Sequence, residues 1–112
     1  MRTICIILLS FFSINSLATT ICSGNVDHLG IGPTSGLLQV SNGYGVQYIC
    51  NFNQPMNGVD QRTCRVWYTM FLAAKTSGKR ISMHYDDTVL SQCNQIVNWA
   101  SNPLPFHVEM ID

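Results

Sequence analysis

Charge is what this sequence has least of. Lys and Arg together number 6 and Asp and Glu 6, and no charge run exceeds the pairs Lys79-Arg80 and Asp86-Asp87. Nucleic-acid binders work through clustered Lys and Arg, so this balance excludes an electrostatic footprint for DNA or RNA. It also leaves much of a small surface neutral, which favours contact with an uncharged ligand or with another copy of the chain. Motifs for chemistry are missing too. There is no Gly-x-Ser-x-Gly elbow to expose a nucleophile and no CxxC pair with zinc-site spacing. His28, His84 and His107 fall on three different predicted strands, at spacings that match no metal motif. A site built from them requires those strands to converge in the folded chain. An acid/base pair of His84 with Asp86-Asp87 is the catalytic alternative, but a charged turn after a strand is the commoner use of such a pair. No apolar run reaches the roughly 20 residues of a membrane-spanning helix, and no internal repeat is present. The expectation is a non-enzyme without a cofactor.

What is present begins with an export signal. Arg2 precedes an apolar run from Ile4 to Phe12, and Ser16-Leu17-Ala18 places small residues at the −3 and −1 positions of a cleavage site. Residues 1–18 are read as a signal peptide and 19–112 as one exported domain, periplasmic or secreted. Cys5 leaves with the signal, and Cys22, Cys50, Cys64 and Cys93 remain. A domain this small has a modest core, so two disulfides are expected to staple it. The pairing Cys50–Cys64 would close the loop before the helix, and Cys22–Cys93 would tie the N-terminus to a late strand. Cys50–Cys93 with Cys22–Cys64 is the alternative.

The clearest structural signal runs from Cys64 to Tyr85. Arg65 to Ser77 contains no Gly or Pro, and Trp67, Met70, Phe71 and Ala74 recur at the spacing of one helix face. Gly78 stands where a left-handed cap is wanted, with Lys75, Lys79 and Arg80 near the carbonyl end. The period then becomes two, with Ile81, Met83 and Tyr85 on one side of a predicted strand. Upstream, a weak strand signal spans Gly24 to Ile31. Gly36 to Val40 and Tyr44 to Phe52 form a hairpin about Asn42-Gly43, with the second arm central in a sheet or barrel wall. Asn53 to Thr63 reads as loop. Downstream, Gln92 to Ala100 reads as a strand with Cys93, Gln95, Val97 and Trp99 on one side, and Phe106, Val108 and Met110 face inward in the last strand. The fold expected is α+β: a small, mainly antiparallel barrel or curved sheet of the oligonucleotide/oligosaccharide-binding type, with the helix between the third and fourth strands.

Aromatics are the functional lead. Trp67 and Tyr85 belong to predicted core faces, whereas Tyr44, near the turn, and Trp99, before a Pro-bearing loop, are candidate ligand-binding residues. Gln47, Asn51, Asn94 and Asn98 are their polar neighbours. Such surfaces recognise sugars or peptides.

Tyr48-Ile-Cys50, a loop, Cys64, and then Trp67 to Tyr85 through Thr76-Ser77-Gly78 resemble, in layout, small exported Gram-negative proteins. Among these are the B subunits of AB5 toxins of the subtilase-cytotoxin and pertussis-like kinds. The resemblance covers Tyr48 to Tyr85 and carries no glycan-contacting residue over. It implies a barrel of the oligosaccharide-binding type, a ring of copies, a cell-surface glycan as ligand and a catalytic A subunit as partner. A periplasmic protein-binding partner or inhibitor, or a small secreted hydrolase, are the other classes. Val66 and Ala73 lie off the buried helix face, which offers the helix as a surface for self-association.

Cleavage after Ala18 predicts that N-terminal sequencing of the exported protein starts at Thr19. A sequence starting at Met1 overturns it.

Overall fold

The computed structural model describes residues 18–112. The signal expected over Met1–Ala18 lies outside them except for Ala18. The chain forms β1 (Thr19–Asn25), β2 (His28–Ile31), β3 (Leu37–Ser41), β4 (Gln47–Asn51), α1 (Gln61–Ser77), β5 (Arg80–Asp86), a short 3₁₀ turn at Cys93–Gln95, and β6 (His107–Ile111). These build two antiparallel three-stranded sheets, ordered β1-β5-β6 and β2-β3-β4. The class is α+β. The sheets do not close into a barrel, and the helix follows the fourth strand, not the third. The uncounted strand is β1, whose sequence Thr-Thr-Ile-Cys-Ser-Gly-Asn has no apolar period of its own. It is a strand because β5 pairs with it along its whole length, from Thr19 opposite Asp86 to Asn25 opposite Arg80.

Local chemistry sets the helix ends. The Asp60 carboxylate accepts from Thr63 N at 2.7 Å, and hydrogen bonding from the Thr63 side chain and then from its backbone N–H holds the Asp60 pKa below the usual carboxylate range. The helix therefore starts inside the stretch expected to be loop. At the far end Gly78 takes φ 70, a left-handed conformation that only glycine adopts cheaply, and Lys79 N bonds Ala74 O at 3.0 Å. Cys64, Phe71 and Ala74 are buried, with Trp67, Tyr68 and Met70 packed beside them. This face rests on β4, β5 and β6, so one helix touches both sheets.

Other elements depart from their sequence pattern. Gln92–Ala100 is not a strand: the Gln95 side-chain oxygen accepts from Ser91 N and Gln92 N at 3.0 and 3.3 Å, folding the segment on itself. Only Ile96 of its apolar residues is buried. β4 occupies an edge, not the centre, of its sheet, yet is well buried because Tyr48 N bonds Ala100 O at 3.1 Å and Gln47 bridges Ala100 in parallel. In β6, Val108 and Met110 do lie opposite Met83 and Ile81, but β6 is also an edge, leaving Met110 40% exposed. Phe106 precedes the strand and is 64% exposed.

Polar contacts from three side chains join the sheets. The Asn42 amide donates to Cys22 O at 2.9 Å and to Ile81 O at 3.0 Å, inserting the β3–β4 connection against β1 and β5. Tyr44 donates to Ser23 O at 2.8 Å. Tyr85, fully buried, donates to Gln47 Oε1 at 3.0 Å. Burial pushes its phenol up to about 12, against the pull of that bond. The folded pKa exceeds the unfolded one, so this contribution is full below about pH 10 and fades as pH rises towards about 12.

Covalent staples reinforce the joint. Cys22 is bonded to Cys93 across 71 residues, and Cys50 to Cys64 across 14. In the chain-entropy picture the longer loop is worth about 4 kcal/mol and the shorter about 3 kcal/mol. The first fixes the irregular 3₁₀ segment to β1; the second fixes the first turn of α1 to β4.

A Cβ on Gly24 would overlap the carbonyl oxygen of Asn42. Gly24→Ala is therefore expected to destabilise the domain by about 3 kcal/mol, the upper end of overpacking costs, in denaturant unfolding with disulfides intact. A change below about 0.5 kcal/mol would show that this close approach is not required.

Candidate functional site

Trp99 is an exposed aromatic held in an unusual backbone conformation. It is 50% exposed and takes φ 57, a left-handed conformation uncommon for a bulky residue. Such a conformation persists only when its surroundings over-determine it. Here they do. Trp99 N donates to Val46 O at 2.7 Å, Val46 N donates to the Asn98 side-chain oxygen at 2.7 Å, and the next residue is held by Tyr48 N. The Asn102 side chain closes the loop, accepting from Val97 N at 2.7 Å and donating to Val97 O and Ala100 O at 2.9 and 3.1 Å. The backbone on both sides of the indole is thus tied to β4 or to itself.

The indole meets the imidazole of His28 edge-on, with centroids 5.1 Å apart. His28 in turn lies 3.5 Å from Gln39 Oε1. Gln39 stands opposite Gly30 on one side and Tyr48 on the other, so their side positions share one face of the second sheet. Gly30 keeps that face low, since a Cβ there would crowd the His28 ring. Trp99, His28, Gln39 and Tyr48 thereby form an aromatic patch with an imidazole and an amide, all at least partly exposed. On sequence His28 stands only as one of three histidines of a conceivable metal site and Gln39 not at all, because only strand pairing brings β2, β3 and β4 side by side beneath the loop.

Tyr44 is placed differently. It is half-buried with its hydroxyl bonded to β1, so it braces the connection that carries Val46 and acts on Trp99 only through that backbone. Gln47 and Asn51 are buried, whereas Asn94 and Asn98 are exposed.

Two further features lie elsewhere. A groove of about 760 Å³ runs beside the first turns of α1, lined by Phe52, Asp60, Arg62, Arg65, Val66 and Thr69 among others. On the outer face of the first sheet, His84 and His107 are direct cross-strand partners. Their Nε2 atoms lie 3.2 and 3.4 Å from the two carboxylate oxygens of Glu109. Hydrogen bonds from His107 and then from His84 hold the Glu109 carboxyl below its ordinary pKa. Two of the three histidines therefore do converge, with a carboxylate between them.

No helix among the described residues is long and apolar enough to cross a membrane. Compared with protein families, with curated proteins and with solved structures, the chain matches none.

Proposed function

We propose that this chain is an exported, non-catalytic binding module that takes an uncharged glycan on the Trp99 face. The observation carrying this reading is an indole half open to solvent and pinned in a left-handed backbone conformation beside His28, Gln39 and Tyr48. A preset aromatic plane stacks on the apolar face of a sugar ring, while an amide and an imidazole bond its hydroxyls. Little ordering is then required on binding. The low charge supports a neutral ligand, and the two disulfides suit an oxidising compartment.

Glycan-array binding and fluorescence titration test this. Trp99→Ala is expected to lose about 2 kcal/mol, roughly 30-fold in Kd, as for a central aromatic anchor. Unfolding stability should change by less than about 1 kcal/mol, because the side chain is half exposed. Unchanged affinity in Trp99→Ala overturns the site, and a blank array with binding to a protein instead favours the partner or inhibitor class.

Ring assembly of the toxin B-subunit type, beside a catalytic A subunit, is the specific form that the sequence resemblance implies. One observation favours self-association: the outer face of α1 leaves Val66 62% and Leu72 40% exposed, with Ala73 exposed between the same turns. An interface there would bury about 1,200 Å² or more in total. Ala73→Glu puts a charge on that face without touching Phe71 or Ala74, so sedimentation should show the assembly dissociating while circular dichroism stays native. A wild-type chain that sediments as a monomer at micromolar concentration overturns the ring.

A further inference from the structure

We propose that His84, His107 and Glu109 form a binding site for a zinc-type divalent cation on the outer face of the β1-β5-β6 sheet. The ligand-bearing atoms of these three residues all lie within 4.8 Å of one another. A tetrahedral ion with bonds of about 2.0–2.1 Å holds its ligand atoms about 3.3–3.4 Å apart. The His84–Glu109 and His107–Glu109 separations, 3.2 and 3.4 Å, are each near that edge length, but they run to different carboxylate oxygens, Oε1 and Oε2. Side-chain rotation must bring one carboxylate oxygen towards both imidazoles and close the gap between the imidazoles.

The backbone makes this arrangement rigid. His84 pairs with His107 and Ser82 with Glu109 in the β5–β6 register, so residues two apart on one strand meet the partner strand on the same face. Sheet positions hold a constellation more closely than loop positions do. The imidazole planes stand at 90° with centroids 4.9 Å apart, presenting edges instead of stacking. Phe106 packs edge-on against His84 at 6.3 Å and limits its swing. Beneath the cluster, Ser23 Oγ donates to Ser82 Oγ at 2.9 Å, and Ser82 Oγ lies 3.3 Å from His84 Nε2. Ser82 is buried, which places a hydroxyl pair under the histidine as a polar floor.

Two imidazoles and one carboxylate are a borderline donor set, matched to zinc and its neighbours better than to calcium or magnesium, which prefer all-oxygen sites. Glu109 and His107 are 46% and 52% exposed, so a bound ion is reached from solvent and keeps an open position towards it. The site stands on the first sheet, and the Trp99 patch on the second, so the inference does not rest on the glycan reading. Binding is a plain exchange: the ion replaces the His–Glu hydrogen bonds and displaces any proton held on Nε2 or the carboxylate.

Isothermal titration of zinc chloride into the untagged, disulfide-intact protein at pH 7.5 tests the assignment. One equivalent per chain is expected. His84→Ala, His107→Ala and Glu109→Gln should each weaken binding by more than the roughly 10–100-fold that outer-sphere changes cost. His28→Ala, on the other sheet, should leave it unchanged. His107 and Glu109 lie on an exposed edge strand, so these variants keep the test valid even if His84→Ala perturbs folding. No stoichiometric heat, or equal affinity in His107→Ala and Glu109→Gln, overturns the site; so does loss of binding in His28→Ala alone.

Discussion

The insertion of Asn42 between two strands of the other sheet is the contact on which the architecture depends. Two three-stranded sheets, each with open edges, have no reason to meet at a fixed angle. The Asn42 amide supplies one by bonding a carbonyl on β1 and another on β5, and Gly24 lets the Asn42 backbone approach closely enough. The Asn42 side-chain oxygen has no hydrogen-bond partner among the described residues. A buried amide donating twice in a low-dielectric interior is directional in a way that apolar packing is not. Tyr85 and Gln47 repeat the arrangement deeper in the core.

Once the sheets are joined, the rest follows by covering edges. β4 would present an unpaired edge, but the 96–100 segment bonds to it through Ala100 O and to Val46, just before it, through Trp99 N. That segment has almost no regular structure and depends on Asn98, Asn102 and the Cys22–Cys93 bridge for its shape. Covering an edge with an irregular loop removes a site for strand-to-strand aggregation. It also projects Trp99 over the face carrying His28, so one device serves stability and the proposed recognition together.

The two outer faces carry different chemistry for the same geometric reason. On each sheet the inner residues are mainly apolar, with Gln47 and the Tyr85 hydroxyl paired among them, while most outer residues are at least partly open to solvent. The second sheet places aromatic and amide groups outward, and the first places two imidazoles, a carboxylate and two hydroxyls there. Neutral groups dominate both faces, in keeping with a chain of so few charges.

Local chemistry was legible from the residues alone. The helix, its Gly78 stop, the switch to period two at Ile81 and the α+β class all rest on interactions within a few positions, where propensity and spacing suffice. Strand β1 was not legible, because its residues carry no apolar alternation and become a strand only through β5. Gln92–Ala100 misled because its apolar spacing imitates a strand, while Gln95 and Asn102 bond their own backbone instead. The convergence of His84 with His107, and of Trp99 with His28, belongs to tertiary structure alone. Each joins residues far apart in the chain whose meeting is set by strand register and edge covering, which no local period encodes.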